Sequence, residues 1–282
     1  MHSNIIRAII NIITNPKVEL KAYSESHNRA NNMGEALEEY IKDIFAGTVE
    51  EKDELKRLEK LSGCFSYLGN QNNPPDIMLW DGDAIEVKKI ESNDSQLALN
   101  SSYPKAKLFS DSPMLKKACK ECEQWTVKDM IYAVGVVNNS HLKSLCMVYG
   151  VDYAAEASTY EKIKQVIKSG VESIPDVEFS ETKELGRVNR VDPLGITYLR
   201  VRGMWGIENP FNVFNYIFKR DYDKKFNFMA LINSEKYATL DYTNELEKLV
   251  DIIEELDISD VKIKNPNNPA QLKSAKLITF KM

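Results

Sequence analysis

Residues 74–90 constrain this chain more than any other stretch. Two short apolar runs, Ile77–Trp80 and Ala84–Ile90, flank Asp81-Gly82-Asp83 and follow the turn signal Asn72-Asn73-Pro74-Pro75. Apolar runs joined through an Asp-Gly turn form a β-hairpin. Side chains alternate along a strand, so Ile85 and Val87 enter a core from one face while Glu86 and Lys88 project from the other. Nine residues separate Asp76 from Glu86, and the hairpin folds Asp76 back towards them. Two carboxylates and an ammonium therefore converge on one patch of sheet.

The surrounding pattern sets the fold class. Met33–Phe45 carries Leu37, Tyr40, Ile41, Ile44 and Phe45 at helical spacing and ends at Gly47, a usual helix stop. A charged helical stretch follows from Val49 to Leu61. Beyond the hairpin, Met130–Val137 and Leu145–Val151 read as strands around a polar turn at Asn138-Asn139-Ser140, and Tyr153–Val171 reads as a helix. Later, Ile196–Met204 and Phe226–Ile232 look like strands, Phe211–Phe218 is apolar and aromatic, and Thr243–Leu256 is an amphipathic helix. Helix, strands and helix in this order predict an α/β or α+β core, a central mixed sheet flanked by helices, with a C-terminal α/β extension. The softest boundary, Ser169–Leu185, divides a core of residues 1–175 from residues 176–282, and the two can also be integrated into one domain.

Several classes drop out. Hydrophobic residues at 43% and charged residues at 28% suit an ordinary globular chain with no need of lipid. The apolar start is interrupted by Arg7 and Asn11 and lacks a small-residue cleavage site before Pro16, so it reads as an amphipathic helix of a cytoplasmic protein. Cys64, Cys119, Cys122 and Cys146 are too scattered for a disulfide framework. Cys119 and Cys122 form C-x-x-C, but no second pair stands at zinc spacing, and both fit one helical face. With only His2, His27 and His141, histidine chemistry is not the expectation.

Asp76, Glu86 and Lys88 offer hard oxygen ligands plus a cation. Such a set suits Mg²⁺, which is commonly held by one or two carboxylates while keeping several waters. A divalent ion polarises a phosphoryl oxygen and neutralises charge in an in-line displacement, and a lysine stabilises charge or positions the attacking water. That is a site for phosphodiester hydrolysis. The net charge of −5 argues mildly against nucleic acid as a partner. Its distribution softens the objection: from Lys183 to Lys225 there are nine Lys/Arg against five acids.

Pro75-Asp76 followed by Glu86-Val87-Lys88 resembles the signature of the PD-(D/E)xK nucleases, which include most type II restriction endonucleases. A decoy exists at Pro175-Asp176 with Glu181-Thr182-Lys183, but four intervening residues cannot hold two strands and a turn. Members of the family often carry a further acid on a preceding helix, and Gly34-Glu35-Ala36-Leu37-Glu38-Glu39-Tyr40-Ile41 fits. On a helical wheel Glu38 flanks the apolar stripe beside Phe45 and Gly34, whereas Glu39 points away. Glu38 is thus a candidate third acid, or a surface residue paired i,i+4 with Lys42. The resemblance implies metal contacts from Asp76, Glu86, Val87 and Glu38.

Leu97 to Leu108, with Asn100-Ser101-Ser102-Tyr103-Pro104-Lys105 inside it, is similar to a segment of the NgoPII-like group that cuts GGCC. That likeness implies phosphate contacts from Asn100, Ser101, Ser102, Lys105 and Lys107; without it, the segment reads as a polar loop capping a helix. Arg187, Asn189, Arg190, Asp192, Arg200 and Arg202 have the chemistry that reads guanine and its partner cytosine, and equally the composition of a solvated face.

The leading expectation is a Mg²⁺-dependent type II endonuclease that cuts double-stranded DNA to 5′-phosphate ends. It implies a homodimer and a cognate DNA methyltransferase as companion. A structure-specific nuclease of the Holliday-junction or repair type, or an inert DNA-binding protein with a nuclease-like fold, are the alternatives. About half the chain lies outside the catalytic core, which favours the first.

Overall fold

The computed structural model describes residues 2–20, 33–70, 73–182 and 184–282. His27, Asn72 and Lys183 lie outside the described residues. Among the described residues the first elements are the helices α1 (Ile5–Thr14), α2 (Met33–Ala46) and α3 (Glu54–Cys64). The strands β1 (Phe65–Asn70), β2 (Asn73–Leu79), β3 (Ala84–Ile90), β4 (Leu97–Asn100) and β5 (Lys107–Phe109) follow. The short α4 (Lys117–Glu121) leads into β6 (Val127–Asn138) and β7 (His141–Tyr149). Next come α5 (Gly150–Tyr153), α6 (Ala157–Glu172), β8 (Glu178–Phe179), β9 (Gly186–Asn189), β10 (Leu199–Val201), β11 (Trp205–Ile207) and α7 (Pro210–Val213). The chain closes with β12 (Asn227–Asn233), α8 (Ser234–Tyr237), α9 (Thr243–Val250), β13 (Leu256–Asn265) and β14 (Asn268–Lys281).

Local signals explain these boundaries. Gly47 stops α2 with a φ of +67°, the left-handed geometry that glycine adopts without penalty. Asp53 starts α3 by accepting from the main-chain N–H groups of Leu55 and Lys56, so this helix begins later than its charge pattern suggests. Asn139 and Ser140 both have positive φ, which matches the twist of a tight turn to the β6–β7 hairpin.

Among the described residues a nine-stranded mixed sheet runs in the order β1-β2-β3-β6-β7-β12-β14-β13, with β5 added beside β6. The pairs β3/β6 and β7/β12 are parallel and the other neighbours antiparallel. One face packs on α1 and α2 through Ile5, Ile9, Leu37, Tyr40 and Ile85. The opposite face is covered by the β3-to-β6 crossover and by α7 through Leu97, Leu108, Cys119, Phe211 and Phe214. The fold is thus a mixed α/β one, with a large sheet between helices. Residues 227–281 supply three of its strands, so the C-terminal part builds the same sheet as the hairpin. The last helix stops at Val250, and the longest strand, β14, lies where alternation is too broken to read.

Residues 157–206 form an exposed arm. Helix α6 has no buried residue, and a three-stranded sheet β10-β9-β8 stands beside it. Leu194 (81% exposed), Ile196 (77%) and Met204 (77%) lie in the open. No helix among the described residues is long and apolar enough to cross a membrane.

Candidate active site

β2 and β3 pair through Ile77↔Ile85 and Met78↔Ala84, with Ile85 wholly buried and Val87 packed on the same core. Glu86 and Lys88 therefore stand on the opposite face, together with Asp76. Beyond the last paired residues, Oδ2 of Asp76 accepts the main-chain N–H of Val87 at 2.7 Å. Lys88 Nζ donates to Glu86 Oε1 at 2.6 Å. The other oxygen, Glu86 Oε2, is buried and has no hydrogen-bond partner.

The electrostatics follow from this crowding. Burial, and then the charge of Glu86, push the Asp76 carboxyl up to about 7. Burial alone lowers Lys88, but the charges of Glu86 and Asp76 outweigh it and raise its pKa, so it stays an ammonium. A buried carboxylate oxygen without a donor is costly. A divalent cation would satisfy it and favour the charged form of Asp76. Asp76 and Glu86 thus fit a divalent cation. Among the described residues no three Asp, Glu, His or Cys side chains by themselves converge on one ion, which leaves waters or main-chain oxygen to complete the shell.

Asp76, Glu86 and Lys88 line a cleft of about 230 Å³ together with Asn100, Ser101, Ser102 and Lys105. The motif and the Asn-Ser-Ser segment, distinct in the chain, meet here because the crossover brings residues 99–105 over the sheet. Asn100 ends β4 at a φ of +52°. Ser102 Oγ is buried and unpaired, as is Glu86 Oε2. Lys105 is held by its main-chain N–H, which donates to Tyr132 Oη at 2.7 Å, and its ammonium sits 4.6 Å from the Tyr103 ring centroid. Lys107 lies on the adjoining groove of about 820 Å³ and pairs with Asp129 at 3.1 Å. Glu38 does not line the cleft: Lys42 Nζ stands 2.9 Å from its Oε1, while its charge is felt at both Asp76 and Lys88.

The arginine cluster sits elsewhere, on the arm. Arg200 and Arg202 both grip Glu184, at 2.6 Å and 2.5 Å, and Arg190 reaches Glu178 at 3.2 Å. Arg187 donates to Asn189 Oδ1 at 3.2 Å and lies over Tyr198. Asp192 accepts the main-chain N–H groups of Leu194, Ile196 and Thr197, organising its own loop. Sequence reading missed Tyr132. It is the cross-strand partner of Glu86 and the anchor of Lys105, but which strand would lie beside β3 was not legible locally. Cys119 is buried against Met78 and Cys122 caps α4, both as free thiols.

The model of the NgoPII restriction endonuclease family matches residues 3–264. The chain belongs to that family. A curated relative, the type II restriction enzyme NgoPII of Neisseria gonorrhoeae, is 59% identical over 278 residues, which is 98% of this chain and 99% of the relative. No solved structure matches. As an NgoPII-family protein the chain is a restriction endonuclease, and the match spans the hairpin, the crossover segment and the arm alike.

Proposed function

We propose that the protein is a type II endonuclease that hydrolyses both strands of duplex DNA at a short palindrome, GGCC, with Mg²⁺. The sheet then forms a restriction-endonuclease-like core. The observation that carries the reading is the buried, unpaired Glu86 Oε2 beside Asp76 and Lys88. Asp76 and Glu86 would hold the ion, with Val87 and Glu38 contributing to its surroundings. Bound there, Mg²⁺ supplies Lewis-acid polarisation of the phosphate and neutralises charge in the displacement. Lys88 orients the attacking water or stabilises charge on the phosphoryl oxygens. Asn100, Ser101, Ser102, Lys105 and Lys107 donate to flanking phosphates. Water adds to phosphorus, the 3′ oxygen leaves, and a 5′-phosphate remains.

In this reading residues 1–175 carry the catalytic core and residues 176–282 the recognition and dimerisation surfaces, the two integrated through the strands that residues 227–281 add to the sheet. The exposed aliphatic side chains of the arm support a partner there, and one metal site per chain with two strands to cut supports a second copy. Arg187, Asn189, Arg190, Asp192, Arg200 and Arg202 are the candidate base readers; Arg200 and Arg202 must exchange Glu184 for guanine. The enzyme acts in the cytoplasm, beside a cognate DNA methyltransferase that protects host sites.

Incubating pure protein with plasmid and Mg²⁺, and mapping cuts on random-sequence DNA, tests the proposal. Discrete fragments ending at GGCC support it. Branch-specific cutting, or intact DNA with every divalent metal, overturns it. Sedimentation on a GGCC duplex tests the dimer, which a single protein chain per duplex refutes.

A further inference from the structure

The arm departs at α6 and returns at β11, and both of its ends close on one ring of the cleft segment. Tyr160, near the start of α6, stacks on Tyr103 with ring centroids 5.2 Å apart and planes 16° from parallel. Trp205, the first residue of β11, stands edge-on to both tyrosines, 6.1 Å from Tyr103 and 5.6 Å from Tyr160. The same tryptophan is the strand partner of Asn100 at the end of β4. The rings are pinned at their polar tips as well. Tyr160 Oη accepts the main-chain N–H of Ala155 at 3.0 Å, and the Tyr103 hydroxyl hydrogen-bonds the Glu161 side chain.

Tyr103 in turn carries Lys105. Lys107 is tied to Asp129 by an ion pair, whereas the Lys105 ammonium lies over the Tyr103 ring, 4.6 Å from its centroid. Tyr132 fixes the main chain of Lys105 but leaves its four-carbon stem free to swing. An aromatic face attracts an ammonium, so the place of the ring sets the place of the charge. Stacked and edge-to-face neighbours hold a ring in one orientation. Tyr103 and Lys105 both line the cleft with Asp76, Glu86 and Lys88.

We propose that Tyr160, with Trp205 beside it, is a positioning residue that fixes the Tyr103 ring and through it holds the Lys105 ammonium at the cleft. The arm that bears the candidate base readers thereby reaches the phosphate grip through three rings. The inference rests on the nuclease reading, in which Lys105 meets a backbone phosphate of the DNA. A merely structural cluster would anchor the arm and leave the chemistry alone.

Tyr160 suits the test because α6 has no buried residue, so truncating it spares the core. The experiment uses the full-length protein and the variants Tyr160→Ala, Tyr160→Phe, Lys105→Met and the double Tyr160→Ala/Lys105→Met. Single-turnover cleavage is followed with Mg²⁺, DNA affinity by gel shift without divalent metal, and folding by thermal scans. Tyr160→Ala is expected to slow cleavage about 10–100-fold, the scale of loss when a group in the site is misplaced by about 1 Å. Affinity falls far less, because the ammonium is displaced rather than removed. Tyr160→Phe keeps the ring and recovers most of the rate. The double variant cuts at the rate of Lys105→Met alone, because Tyr160 acts through Lys105. Parental cutting by Tyr160→Ala, a Tyr160→Phe as slow as Tyr160→Ala, a fall in melting temperature alone, or losses that multiply in the double variant overturns the proposal. Asp76→Ala in the same series separates the two readings. If the parent cuts and Asp76→Ala does not, a silent Tyr160→Ala overturns this inference and leaves the nuclease reading standing, whereas a parent that cuts no DNA overturns both.

Discussion

The main-chain N–H of Val87 donates to the carboxylate of Asp76 across 2.7 Å, where the β2–β3 ladder has already ended at Ile77↔Ile85. The side chain takes the place of a strand neighbour, and this fixes Asp76 against β3. The acid that opens the motif and the acid ten positions later are thereby held on one face before any ion arrives.

Asp76→Ala and Glu86→Ala are expected to lower cleavage by at least ~10³-fold, equivalent to about 4 kcal/mol of barrier, while DNA binding persists. Losing a carboxylate removes a metal ligand and adds no repulsion to phosphate. Gel shifts and cleavage assays on the same preparations check this. Near-parental cutting by either variant removes the proposed site.

The raised pKa of Asp76, about 7 against an ordinary 3.8, gives a signed pH dependence. Between those values the folded protein keeps a proton that the unfolded chain has lost. The protonated group's contribution is therefore full below pH 3.8 and disappears as pH rises through about 7. In metal-free buffer, Asp76→Asn should melt with the parent at the acid end of that window, gain over it as pH rises, and level off above it. Thermal scans across the window provide the measurement, and a pH-independent gap contradicts the assignment.

Gly69 leaves no room for a side chain. A Cβ there would fall on the carbonyl oxygen of Pro75 and lie 3.1 Å from that of Asp76, both main-chain atoms that cannot step aside. Gly69→Ala should cost about 1–3 kcal/mol of stability. It should also reduce cleavage by displacing Asp76. Urea unfolding and kinetics on one sample test the two effects together, and parental values of both refute the close approach.

Arg57→Met should be severe. Asp43 is wholly buried and, besides Arg57, hydrogen-bonds Thr48. Removing the guanidinium takes away the cation paired with a buried carboxylate, a change that costs about 3–5 kcal/mol. Chemical denaturation measures it. The companion variant Arg57→Met/Asp43→Leu should recover much of the loss, and a mild single variant would refute the dependence of Asp43 on the Arg57 guanidinium.

The hairpin, its turn, the helix that ends at Gly47 and the convergence of Asp76, Glu86 and Lys88 are legible in the sequence. Each rests on alternation, helical period or turn chemistry within about a dozen residues, and local geometry alone fixes them. The paired state of Glu38 with Lys42 is likewise a spacing effect. Other features depend on partners far along the chain. Tyr132 meets Glu86 only because β6 lies parallel to β3, and the sheet continues into residues 227–281 only because β12 pairs with β7. The arginines of the arm illustrate the same limit. Their composition fits base contacts and a solvated face alike, and the fold alone places Glu184 against Arg200 and Arg202. The second carboxylate pairing of Lys42, through Glu39 to buried Arg57, was also decided by tertiary structure. A sequence period states which face a side chain occupies, whereas the element that packs against that face is chosen by burial summed over the whole chain.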